Sequence, residues 1–108
     1  MGRRHDRAAI AKAKEYDDKP TVDEVYVHRV KGFDDPPDEY HVGGEGFIPD
    51  VVVVYGRGSH VKFIEIDSGS PGSPLTGHSK RQNEAFNRSA GASGNRSYEH
   101  FYTSTVLD

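Results

Sequence analysis

The 108-residue chain has no cysteine, no tryptophan and one methionine. No apolar run in it approaches the ~18 residues that a membrane-spanning helix needs. Without cysteine there is no disulfide framework, no thiol nucleophile and no cysteine-ligated zinc site. Six histidines are present, but no two stand at a zinc-binding spacing such as HxxxH. Hydrophobic residues make up only 33% of the chain and the mean hydropathy is -0.78. Such a chain builds one domain with a small core, and a second subunit would add burial that it lacks. The opening MGRRHDRAAI carries no apolar stretch of the secretory kind, so the expectation is a soluble, cytoplasmic protein.

Strong charge of either sign is missing too: the net charge is -3, which excludes a uniformly basic nucleic-acid-binding surface. The charges are nevertheless segregated. Residues 1–14 carry +4, residues 15–50 carry -8 and the remainder carries +1. Most of the acids in DDK and DDPPDE read as solvated loop residues.

Residues 3–16, RRHDRAAIAKAKEY, are rich in helix formers, and Pro20 stops a helix that should end near Asp17. Residues 22–30, VDEVYVHRV, alternate as a strand does, although Thr21 and Glu24 would also fit the capping box of a short helix. With EYHV ahead of the Gly43-Gly44 break, residues 22–42 are expected to form a hairpin. IPDVVVVY (48–55) is a continuous apolar run, the mark of a strand covered on both faces, and GRGS joins it to the strand HVKFIEID. The tract 68–77, SGSPGSPLTG, has little capacity to pack and reads as a flexible loop. Ser79 and Gln82 fit a capping box that opens a second helix, with Gly91 as its stop, and SYEHFYTSTV (97–106) alternates as a last strand. The expected class is α+β, with an αβββαβ order and a mixed central sheet flanked by two helices.

Three acids stand out because they border or interrupt apolar strands: Asp50, Glu65 and Asp67. Strand alternation puts Glu65 and Asp67 on the face of Val61 and Phe63, with Ile64 and Ile66 opposite. A hairpin of this length lets Asp50 approach Glu65. Adjacent carboxylates repel, and burying them costs several kcal/mol unless a cation or hydrogen-bond donors compensate. An oxygen-preferring divalent ion, Mg²⁺ or Mn²⁺, is the natural compensation.

Pro49-Asp50, fourteen intervening residues and Glu65-Ile66-Asp67 at the end of an apolar strand resemble the PD-(D/E)XK nuclease superfamily. The αβββαβ order is similar to that superfamily's core over nearly the whole chain. The resemblance implies a metal-dependent DNA endonuclease with Asp50 and Glu65 as metal ligands, joined by the Ile66 carbonyl and by Asp67. Asp67 stands where the family usually has lysine, so Lys80 or Gln82 at the start of the following helix would supply the displaced catalytic group. IEIDSGS also resembles the Glu-x-Asp-x-Gly strand end of replication-relaxation proteins from mobile elements, which suggests a virus or mobile-element source and branched or otherwise structured DNA. Arg3, Arg4, Arg7, Lys80 and Arg81 are the candidate phosphate contacts. Glu15, His41 and Glu45 are further residues that could reach the same cleft, and a homodimer is expected. Two readings compete with the nuclease: a catalytically inactive nuclease-fold DNA-binding or interaction protein, and a small regulatory protein whose acids are a salt adaptation.

Overall fold

A computed structural model describes residues 3–42, 47–67, 77–90 and 94–107. The first helix, α1 (Arg3–Asp17), buries Ala8, Ala9, Ala13 and Tyr16 along one stripe. Three of these four are alanines, so the helix backbone can lie close to the sheet. Asp6 in its first turn and Lys14 in its last complement the helix dipole.

Four strands follow in the spatial order β1 (Val22–Val27), β2 (Val51–Tyr55), β3 (His60–Asp67) and β4 (Arg96–Tyr102). The first three are antiparallel neighbours, and β4 is parallel to β3 after a crossover through α2 (Gly77–Ala90). A short helix, α3 (Thr103–Leu107), ends the described chain. The αβββαβ core and the mixed α+β sheet are therefore present, with α3 added. Among the described residues no helix is long and apolar enough to cross a membrane.

The hairpin expected over 22–42 does not form. β1 stops at Val27 and pairs with β2 instead, Val25 opposite Val53 and Val27 opposite Val51. Arg29 adopts a left-handed φ of 55°, and its amide is held by Asp35 Oδ1 at 2.7 Å, which turns the chain out of the sheet. Pro36 and Pro37 cannot donate to a ladder. Residues Asp38–Tyr40 therefore coil into a 3₁₀ turn, and Val42 makes only an isolated bridge to Phe47. The four-valine run takes the place beside β1 because it can be buried on both faces.

β2 and β3 are joined by Gly56–Gly58, where three consecutive residues have positive φ. At Gly56 the φ of 47° is one L side chains rarely adopt, and a Cβ there would also run into the Ser59 side chain, so the position favours glycine. Residues 103–106 were expected to continue the last strand and instead lie in α3. This segment is helical because Val106 and Leu107 pack with the core between α1 and the sheet, which overrides the β preference of Thr and Val. α2 begins at Gly77, two residues before the expected cap at Ser79; Gly91 and most of the 68–77 tract lie outside the described residues.

The sheet has a core on each face. Val51, Val53, Ile64 and Ile66 meet α1 and α3 on one side, while Val52, Val54, Val61 and Phe63 meet Ala85 and Phe86 of α2 on the other. Phe63, Phe86 and Tyr98 form an aromatic chain, with ring centroids 6.0 and 5.3 Å apart.

Candidate functional site

The end of β3 and the residue that leads into β2 come together because the two strands are antiparallel, with Val51 opposite Ile64. Continuing that register by one residue brings Asp50 beside Glu65. Both side chains are buried, 6% and 5% exposed, and they share a hydrogen bond. The Ile66 amide donates to Asp50 Oδ2 at 2.7 Å, which fixes this carboxylate against the backbone of β3.

The third participant comes from α1. His5 Nε2 lies 3.2 Å from Asp50 Oδ2 and 3.1 Å from the Ile66 carbonyl oxygen, so this nitrogen carries hydrogen toward two acceptors. Burial alone would raise the pKa of Asp50. The hydrogen bonds from His5 and Glu65, the charge of His5 and the Ile66 amide overcome that and hold it below the ordinary carboxylate value. His5 moves the opposite way: its hydrogen bond to Asp50 outweighs burial and raises its pKa, with help from the Asp50 charge, the Ile66 carbonyl and Asp6. His28 donates its backbone amide to the Asp50 carbonyl at 3.0 Å. Its imidazole is depressed, mainly by burial.

Asp67 shares the face of Glu65 and meets His100 of β4, with Oδ2 and Nε2 3.3 Å apart. Tyr98, also on this face of β4, registers the acids together: its hydroxyl is pushed well up, first by burial and then by the negative charge of Glu65, Asp50 and Asp67. The three acids expected to form one site thus occupy one neighbourhood.

The other expected residues divide. Gln82 is fully buried on the sheet side of α2, while Lys80 and Arg81 are exposed on its first turns. Arg4 and Arg7 are exposed on α1; Arg3 opens that helix, but its side chain is not described. Glu15 is exposed and paired with Lys12 Nζ at 3.1 Å, so its helix contributes His5 to the site instead. His41 turns back on its own loop, bonding the Pro36 carbonyl at 3.2 Å. Glu45 lies outside the described residues. His5, Tyr98 and His100 were missed. The signal for His5 was available: it precedes Ala9 by four residues and so lies on the stripe that α1 turns to the core.

Among the described residues no three His, Asp or Glu side chains form a metal cage on their own. The donors present at the end of β3 are two buried carboxyls and a backbone carbonyl, oxygen ligands of the kind hard divalent cations take together with water. A separate open concavity of about 480 Å³ lies at the other end of the sheet, lined by Asp23, Glu24, Tyr40, Val54, Arg57 and Gly58. Its acids are exposed and engaged locally, Asp23 by the Arg57 amide and Glu24 by the Tyr26 hydroxyl.

No family model matches the chain, and no curated protein or solved structure matches it. Function has to be argued from the site itself.

Proposed function

We propose that the protein is a metal-dependent DNA endonuclease of the PD-(D/E)XK type, with its centre at Asp50 and Glu65. The observation that supports this is a pair of carboxyls buried beside each other at the end of a core strand, with a backbone carbonyl and a histidine next to them.

Asp50, Glu65 and the Ile66 carbonyl would hold Mg²⁺ or Mn²⁺, with Asp67 as an outer carboxylate steadied by His100. When bound, the cation supplies a Lewis acid that activates water and offsets the charge building on the phosphate. The protein's own groups do the rest. Arg4 and Arg7 on α1, with Lys80 and Arg81 on α2, grip backbone phosphates, and the acidic block between residues 15 and 50 keeps nucleic acid off the remaining surface. Such binding is salt-sensitive and weakly selective for sequence. Gln82, Lys80 or the Asp67–His100 pair stands in for the motif lysine. A homodimer would put two such centres on one duplex, which suits branched DNA from a virus or mobile element.

One observation favours the competing reading, an inactive nuclease-fold binding protein: an acid, not a lysine, follows Ile66. Incubation with supercoiled, linear and branched DNA in Mn²⁺ separates the two. Nicking that disappears in Asp50→Ala and Glu65→Ala supports the enzyme. DNA binding without cleavage supports the inactive module, and nicking that survives Asp50→Ala refutes the site.

A further inference from the structure

Asp6 and His5 are neighbours in the first turn of α1, and neither the motif acids nor the phosphate contacts account for their arrangement. His5 Nδ1 faces Asp6 Oδ1 at 3.7 Å, and both atoms are buried without a hydrogen-bond partner. On the other side of the ring, Nε2 stands 3.2 Å from Asp50 Oδ2 and 3.1 Å from the Ile66 oxygen. Adjacent donors around an octahedral ion with bonds of about 2.1 Å stand about 3 Å apart. The nitrogen therefore already stands from each of the two oxygens at the spacing of adjacent ligands.

We propose that His5 is a nitrogen ligand of the metal centre and that Asp6 is the carboxylate orienting it, so that the site selects Mn²⁺ and similar transition ions over Mg²⁺. This rests on the metal-dependent reading above. Coordination through the Nε2 lone pair puts the ring's single N–H on Nδ1. The 3.7 Å gap to Asp6 then closes into the carboxylate–histidine–metal relay that metal-bound histidines characteristically make. That gives a role to two buried atoms that lack a partner in the metal-free arrangement. Imidazole suits first-row transition ions, whereas Mg²⁺ takes oxygen ligands and keeps its waters. Glu65, water and a phosphate oxygen would complete the shell.

The test titrates Mn²⁺ and Mg²⁺ separately by calorimetry into the wild type, His5→Gln and Asp6→Asn. It also examines the Mn²⁺-loaded wild type by pulsed electron paramagnetic resonance for a directly bound imidazole nitrogen. The expected result is a nitrogen signal that is absent in His5→Gln. Mn²⁺ affinity should fall at least about tenfold in His5→Gln and less in Asp6→Asn, with Mg²⁺ affinity changing least. Because the resonance signal is read on the wild type, poor folding of a variant does not spare the proposal. Mn²⁺ bound by oxygen alone, or a nitrogen signal that survives in His5→Gln, overturns the role of His5 and leaves the nuclease reading standing. A His5 signal in a protein that cuts no DNA overturns the nuclease reading and leaves the ligand assignment. No binding of either metal to the wild type overturns both.

Discussion

Two charged side chains of β3, Lys62 and Glu65, stand three residues apart on opposite faces of the sheet, and their surroundings differ. Lys62 Nζ lies 2.7 Å from Glu99 Oε1 and 3.3 Å from the Tyr16 hydroxyl, with the Tyr16 ring 5.0 Å away. One cation meets one acid, a hydroxyl and an aromatic face, and the charge is balanced within the fold. Glu65 shares its neighbourhood with a second buried acid, with Asp67 nearby, and the cationic partner seen at this acid pair is a histidine from a helix on the other side of the sheet. Lys62 is explained by stability. On the proposed reading, the acids at the end of the same strand serve to bind a cation.

The largest expected effect breaks the acid end. Asp50→Ala or Glu65→Ala should remove several kcal/mol of charge stabilisation, lowering Mn²⁺-dependent cleavage by about a hundredfold or more in a supercoiled-DNA nicking assay. Lys62→Met should leave cleavage and metal affinity unchanged while costing about 1–2 kcal/mol in urea unfolding, because the pair it breaks is only partly buried. If Lys62→Met abolished cleavage, the contrast between the two ends of β3 would be lost.

Stability against pH sharpens the same contrast. His5 has its pKa raised in the fold, so its contribution is fully present below its ordinary value of 6.5 and is lost as pH rises through the raised value. Asp50 has its pKa lowered, so its contribution is present above 3.8 and is lost as pH falls through the depressed value. Melting temperature in the absence of metal should therefore fall on both sides of a plateau, and His5→Gln should flatten the alkaline side. An alkaline limb unchanged in His5→Gln would mean that the His5–Asp50 pair does not form in solution. The smallest effects belong to the surface. Each of Arg4, Arg7, Lys80 and Arg81 changed to alanine should reduce the salt dependence of DNA binding by about one phosphate contact, read as the slope of log affinity against log salt.

Much of this was legible in the chain. The alternation Val61, Phe63, Glu65, Asp67 against Ile64 and Ile66 gave the face of the acids, and the GRGS turn gave the antiparallel register that brings Asp50 to Glu65. The failures have physical causes. Local pattern made EYHV a partner for β1, but pairing is decided by which strand can be buried on both faces, and two prolines remove donors from the segment before it. The last strand is shorter than its pattern suggests because Thr103 and Val106 favour strands until packing against α1 makes them helical. His5 was passed over because its partner Ile66 is 61 residues away in the chain and its helix reads locally as a basic, alanine-rich surface.

Thermal melting of Glu65→Gln beside the wild type, each with and without Mn²⁺, tests most directly whether the acid pair is a binding site held at a cost to the fold. Replacing one of two apposed acids with a neutral donor should stabilise the metal-free protein by about 1 kcal/mol, a rise of about 4–8 °C, and should abolish the further rise that Mn²⁺ gives the wild type. A wild type indifferent to Mn²⁺, together with a Glu65→Gln variant that melts lower, would contradict this and make the acids part of the fold's ordinary architecture.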